Sequence, residues 1–329
     1  MRRTLITLIL LVTLTAASHV NAQNLQWFKG NTHTHTKNSD GDSLPEDVTR
    51  WYKTHGYNFL VITDHEHVTD VGPLNAAFAE AGKFLVIPGQ EITDRFDTKA
   101  YHVNGLGLPK VVMPARATDS AVNNLQKNVD AVRAAGAVPQ INHPNFYWAI
   151  TSDHLMQVRN ATIFEVYSGH PRVNVLGGGG NPSVEEMWDK VLTAGRVYYG
   201  VATDDVHHFK RPLGEPLTAA PGKGWIYVRA TELTPTAILA AIDRGDFYAS
   251  SGVELSEYTV NSKSITITMK EVRDIRYRTQ FIGAGGKVLS ESTSNPAVYT
   301  FRGNERYVRA KIVESNGGMA WTQPVFRKK

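Results

Sequence analysis

The sequence predicts an α/β protein, a closed barrel of alternating strands and helices followed by a small β-sandwich. Three observations carry this. Apolar runs and amphipathic stretches alternate from Trp27 to about Gly252 at roughly 30 residues per unit, the repeat of parallel strands with right-handed crossovers. Histidines and carboxylates follow the ends of several of these runs, and such residues converge on one point only if the strands close into a ring. After Gly252 the pattern changes to short runs of period two between Gly and Asn turns, the mark of antiparallel strands.

The chain opens as an export signal. Arg2 and Arg3 precede an apolar stretch from Leu5 to Ala17, and Val20-Asn21-Ala22 forms a small-residue cleavage site. The stretch is too short to span a bilayer, which needs roughly 20 apolar residues. The expected mature chain therefore starts after Ala22, with a barrel over residues 23–253 and a sandwich over 254–329. At 329 residues and 42% hydrophobic, it is long enough for one large domain and one smaller one. There is no cysteine, which excludes disulfides, thiolate ligands, a cysteine nucleophile and a lipidated anchor. The expectation is a periplasmic or secreted protein without a membrane anchor. The formal charge of +4 includes Arg2 and Arg3, and the small remainder is too dispersed to predict nucleic-acid binding.

Strands are expected at Asn58–Thr63, Phe84–Pro88, Ala137–Ile141, Thr162–Tyr167 and Val197–Thr203. Ser43-Leu44-Pro45-Glu46 and Ser183-Val184-Glu185-Glu186 read as capping boxes that open helices. Val122, Leu125, Val129 and Val132 mark one face of a helix from about Ser120 to Ala135, stopped by Gly136. Thr234-Pro235 starts another, with Ile238, Leu239 and Ile242 as its apolar face. Beyond Gly252, strands are expected at Ser264–Thr268, Ala297–Phe301 and Tyr307–Val313, with no cluster of ligand-type residues.

The candidate site is a set of motifs spread over about 175 residues: His33-x-His35 with Asp40, Thr63-Asp64-His65, Glu91 with His102, His143, and Asp205-x-His207. Imidazole nitrogens and carboxylate oxygens are ligands for zinc, manganese and iron, and nine such groups are more than two ions need. A single H-x-H would be an ordinary polar strand end. The repeated placement after apolar runs predicts a hydrolytic centre of two to three divalent ions.

The order H-x-H, Asp, T-D-H, Glu, His, His, D-x-H resembles the PHP superfamily, named for polymerase and histidinol phosphatase. The likeness covers about Trp27 to Gly252, with Asn31-Thr32-His33-Thr34-His35, Ser39-Asp40-Gly41 and Ile62-Thr63-Asp64-His65 as its first motifs. Ala240 to Gly252, ending in Gly245-Asp246-Phe247-Tyr248-Ala249-Ser250-Ser251-Gly252, is similar to the tail of a carbaryl-hydrolase-like branch. The resemblance implies a distorted (β/α)7 barrel. It implies His33, His35, Glu91 and Asp205 on one ion, Glu91, His102 and His143 on a second, and Asp40, His65 and His207 on a third. Position 40 is Asp where some members have His, a departure at the third ion.

Charge predicts the chemistry. Three divalent ions, three ligand carboxylates and a bridging hydroxide leave about +2 at the centre, which attracts a small anionic substrate. A metal-bound hydroxide attacking a phosphate ester suits this centre best. Asp64, expected beside a ligating imidazole, and His170 are candidates to protonate the leaving group, and Arg172, Arg95 or Lys210 to contact phosphate. Glu165 reads either as a partner of a ligating imidazole or as one half of a salt bridge, and Asp204 as a residue that caps or orients a neighbour. Two alternatives stay open: the same ions acting on a carboxylic ester, amide or carbamate, and a secreted metal- or sugar-binding protein without activity. Neither substrate identity nor oligomeric state is legible.

Overall fold

A computed structural model describes residues 25–212 and 214–326, so the expected export signal lies outside the described residues. Strands β1 (Gln26–Asn31), β2 (Phe59–Ile62) and β3 (Leu85–Phe96) run parallel, linked through helices α1 (Pro45–Thr54) and α2 (Gly72–Phe78). β2 is buried along its whole length, consistent with its uninterrupted apolar sequence. β3 then doubles back as β4 (Lys99–Leu106), an antiparallel hairpin that was not among the expected strands. After α3 (Ala121–Ala134), β5 (Val138–Ile141) pairs antiparallel with β4. α4 (Ser152–Gln157), β6 (Ile163–Ser168), α5 (Val184–Thr193) and β7 (Tyr199–Thr203) restore the parallel pattern.

The expected closed barrel is not formed. β8 (Trp225–Ala230) lies antiparallel along β1 from Gln26 to Gly30 and occupies the edge that β7 would need for a closing ladder. The chain beyond β7 meets the chain beyond β1 at a Thr34–Val206 bridge. There His35 N–H donates to Val206 O and Asp205 N–H to His33 O, both at 3.1 Å. The sheet is therefore open, and the chain leaving its β7 margin returns to the end of β1, where the H-x-H and D-x-H motifs meet.

The separate C-terminal sandwich is also corrected. After α6 (Pro235–Arg244), β9 (Phe247–Ser250) pairs with both β8 and β16 (Met319–Thr322), carrying the large sheet across the expected boundary. Following β10 (Leu255–Val260) and β11 (Ser264–Met269), β12 (Tyr277–Ile282) and β13 (Val288–Ser292) join that sheet. β14 (Ala297–Thr300) instead completes a three-stranded sheet with β10 and β11, while β15 (Tyr307–Glu314) bridges β12 and β16. Short β17 (Val325–Phe326) pairs with β15. Ile265, Ile267, Phe281, Tyr299 and Ile312 pack between the two sheets, and Tyr248 of β9 belongs to the same cluster.

Helix ends follow the sequence at three places. Ser183 accepts from Glu186 N–H at 3.1 Å while its own N–H donates to the Glu186 carboxylate at 2.7 Å, a complete capping box. Ser120 caps α3, and Thr234 caps α6, which ends at Gly245 with φ 79°. Ser43 caps nothing: its hydroxyl donates to Asp42 Oδ1 at 2.8 Å, and α1 starts from Leu44. No described helix is long and apolar enough to cross a membrane.

Candidate metal centre

The nine residues expected to bind metal form three sets of close ligand atoms: His33, His35, Glu91 and Asp205; Glu91, His102 and His143; and His35, Asp40, His65 and His207. Glu91 belongs to two sets and His35 also to two, whereas the sequence placed His35 in one. H-x-H follows β1 and D-x-H follows β7. Glu91 and His102 face each other on the β3–β4 hairpin, where Thr93 and His102 are paired.

In the first set, His33 Nε2 lies 2.9 Å from Glu91 Oε2, 3.2 Å from His35 Nε2 and 3.3 Å from Asp205 Oδ1. His35 Nε2 lies 3.1 Å from Glu91 Oε2 and 3.3 Å from Asp205 Oδ1. Ligand bonds of about 2.0–2.2 Å at tetrahedral or octahedral angles put neighbouring donors about 2.9–3.6 Å apart. In the second set, Glu91 Oε1 lies 2.8 Å from His102 Nδ1 and 3.2 Å from His143 Nε2. The other nitrogen of His102, Nε2, is buried with no hydrogen-bond partner, an unsatisfied donor or acceptor beside the cluster. In the third, Asp40 Oδ2 lies 3.4 Å from His207 Nε2 and 3.7 Å from His65 Nε2. The donor set and spacing fit divalent cations.

Surrounding groups orient these rings. Glu165, on β6, accepts from His33 Nδ1 at 2.5 Å, Thr203 Oγ1 at 2.9 Å and His143 N–H at 2.9 Å. It pairs with no lysine or arginine among the described residues, so the imidazole-partner reading holds over the salt-bridge one. His207 Nδ1 donates to Asp205 O at 3.0 Å, which turns Nε2 toward Asp40. His143 and Asp205 have φ of 22° and 49°, left-handed values rarely adopted outside glycine, as at many ligand-holding turns. Asp204 holds that turn: it accepts from Tyr52 OH at 2.6 Å and from the N–H groups of Lys223 and Gly224 at 2.5 and 2.9 Å.

Three buried carboxylates and few cations make the cluster demand positive charge. Burial alone would depress the His33 pKa, but Asp205, Glu91 and Glu165 override it and raise it well above the usual range. His35, against the same burial, is pushed up to about 10 by Asp205 and Glu91. Burial opposes ionisation of Glu91 and Asp205, yet the neighbouring histidines hold both well below the carboxylate range. Without metal, protons on His33 and His35 supply the missing charge.

Asp64 is corrected. Its carboxylate accepts from Thr36 N–H, Thr36 Oγ1, Ser39 Oγ and Thr69 Oγ1 at 2.7–2.8 Å and touches no ligand imidazole. It clasps the loop that carries Asp40 and is absent from the cavity wall. Gly41 closes that loop, since a Cβ there would lie 2.8 Å from His35 backbone atoms.

The cluster floors a cavity of about 430 Å³, with His170, Arg172, His208 and Arg211 on its walls. His170 is lowered to about 4, by burial first and then by His207, His143 and His33, with Asp205 opposing. It is neutral at pH 7, and because its Nδ1 accepts from Arg172 N–H at 3.3 Å, its proton sits on Nε2. His170 thus suits donating a hydrogen bond better than delivering a proton. Lys210 is not on the wall, and Arg95 lines an adjoining cavity. Phe146 and Arg211 were missed by the sequence reading, having no motif around them.

No family model and no curated protein matches the chain. Among solved structures, a two-domain protein from Bacteroides vulgatus containing a predicted PHP-like metal-dependent phosphoesterase aligns over 92% of this chain and 96% of its own, with TM-score 0.51 and 18% identity. The chain has a PHP-like fold. Weaker matches are an amidohydrolase from Chromobacterium violaceum with bound sulfate and no metal (TM-score 0.38, 16% identity, 55% of this chain and 88% of that one). A lesion-specific endonuclease from Pyrococcus furiosus matches at TM-score 0.39 and 12% identity, over 67% of this chain and 56% of its own. The matches give the carbaryl-hydrolase-like branch no support.

Proposed function

We propose that this PHP-like protein is a metal-dependent phosphoesterase acting on a small anionic substrate. The observation that carries this is the meeting of three ligand sets around Glu91 and His35 on the floor of a cavity walled by Arg172 and Arg211. His33, His35, Glu91 and Asp205 would hold one ion, Glu91, His102 and His143 a second, and Asp40, His65 and His207, with His35 close by, a third. Zinc, manganese or iron bound there would make water ionisable near pH 7 and offset charge on the phosphoryl oxygens.

The chain's own groups do the rest. Arg172 and Arg211 supply positive charge for an incoming phosphate, and the Nε2–H of His170 donates to one of its oxygens. Glu165 keeps His33 pointing Nε2 into the cluster. The +4 formal charge is too small and dispersed to favour a polynucleotide over a small anion. An export signal over residues 1–22 would place the protein in the periplasm or outside the cell.

The test compares initial rates on nitrophenyl phosphate monoester, phosphate diester and carboxylate ester with zinc- or manganese-reconstituted protein. Chelator-sensitive phosphate cleavage supports the reading. Dominant carboxylate-ester cleavage would move the assignment to carbonyl hydrolysis.

A further inference from the structure

We propose that the substrate cleft has a second arm, walled by Arg95, Thr98 and Tyr147, which takes a planar aromatic substituent, so that the site favours esters with two substituents on the reacting centre. This rests on the phosphoesterase reading. Beside the cavity above the cluster lies another of about 590 Å³. His65, His102 and Phe146 line both, so the two cavities flank the same ligand atoms. An ester with one substituent fills one arm; a diester fills both.

Phe146 is a fixed partition between the arms. Its N–H donates to His143 O at 2.9 Å, it forms a bridge with Val173, and its ring centroid lies 5.0 Å from that of His143, 6.0 Å from His102 and 6.1 Å from His170. Tyr147 follows, 61% exposed, with its ring 4.5 Å from Phe146. Tyr147 and Trp148 have φ of 49° and 56°, conformations disfavoured for bulky residues, and Lys99 Nζ donates to Trp148 O at 2.7 Å. An aromatic side chain is thus presented to the second arm on a pinned turn, with the exposed Arg95 on the same wall. Aromatic faces and a guanidinium plane are the chemistry that stacks on planar rings.

Hydrolysis in such a cleft uses one water. Its oxygen bonds to phosphorus as one P–O bond breaks, and the departing alkoxide or phenoxide takes a proton, leaving a phosphate monoester.

Zinc-loaded wild-type, Tyr147→Ala and Arg95→Ala proteins would be titrated calorimetrically with methyl phenyl phosphate and with dimethyl phosphate. Rates on bis(4-nitrophenyl) phosphate and 4-nitrophenyl phosphate would be measured alongside. The proposal expects wild type to bind methyl phenyl phosphate about tenfold more tightly than dimethyl phosphate, as one stacked ring provides. Tyr147→Ala should remove most of that preference and Arg95→Ala part of it. Equal wild-type affinity for the two diesters, or equal losses on both in the variants, overturns the second arm. Failure to hydrolyse any phosphate ester would count against the phosphoesterase reading alone, because the titration decides the arm without turnover.

Discussion

Replacing Glu165 by glutamine should weaken metal binding although Glu165 belongs to none of the ligand sets. Every close partner of its carboxylate is a donor: His33 Nδ1 at 2.5 Å, Thr203 Oγ1 at 2.9 Å and Gln140 Nε2 at 3.3 Å on Oε1, and His143 N–H at 2.9 Å on Oε2. An amide has one acceptor oxygen. With that oxygen in the Oε1 position, its NH2 faces the His143 N–H, two donors at hydrogen-bond distance. With the amide reversed, NH2 faces His33 and pushes its ring out of register. Hydrogen bonds to a charged group are worth roughly 1.5–3 kcal/mol, and loss of such a ring-orienting partner typically costs about 10–100-fold in metal affinity. Competition titration of the apo-protein against a chromogenic zinc chelator reads this directly, with thermal unfolding as the check on folding. Glu165→Gln protein that folds normally and binds zinc as tightly as wild type would refute the argument that Glu165 sets the His33 ring.

Other predictions follow from single contacts. Arg309 is buried, bonded to Asp189 through Nε at 2.8 Å and Nη2 at 2.6 Å, so Asp189→Ala leaves the buried guanidinium only Glu185, 3.4 Å from Nη2, as an acidic partner among the described residues and should destabilise the protein in urea unfolding, by less than the ~3–5 kcal/mol of a wholly unpaired buried charge. Ser183→Ala removes the α5 cap and should cost about 1 kcal/mol in the same assay. Because His33 and His35 carry raised pKa values without metal, His35 at about 10, zinc must displace their protons. Affinity should therefore rise with pH from 7 toward 10, and calorimetry in buffers of different ionisation enthalpy at pH 7 should show proton release. Uptake without proton release would contradict the charge reading.

The motifs were legible because nearly all of the ligands stand just beyond or beside an apolar run, where strand ends bring distant positions together. The β3–β4 hairpin was not: Ile92-Thr93-Asp94-Arg95-Phe96 looks polar and loop-like, yet Glu91 and His102 approach each other only because that ladder forms. The open sheet was hidden for a related reason. β8 was not among the expected strands, and nothing local says that it runs antiparallel and takes the free edge of β1. Asp64 was misread since its true partners, Thr36, Ser39 and Thr69, come from two loops whose meeting is tertiary. The Ser43 box failed because its neighbour Asp42 took the hydroxyl first. Three of the C-terminal strands, β11, β14 and β15, were found, but pairing of β9 with β16, which joins the region to the main sheet, carries no sequence mark.

The central claim is that these nine residues hold metal together, and crystals of the protein soaked in zinc would test it through anomalous scattering. The account predicts two or three peaks about 2.0–2.3 Å from ligand nitrogens and oxygens, one shared by His33, His35 and Asp205, another by His102 and His143, with Glu91 touching both. Strong zinc peaks elsewhere, with none between these side chains, would contradict it.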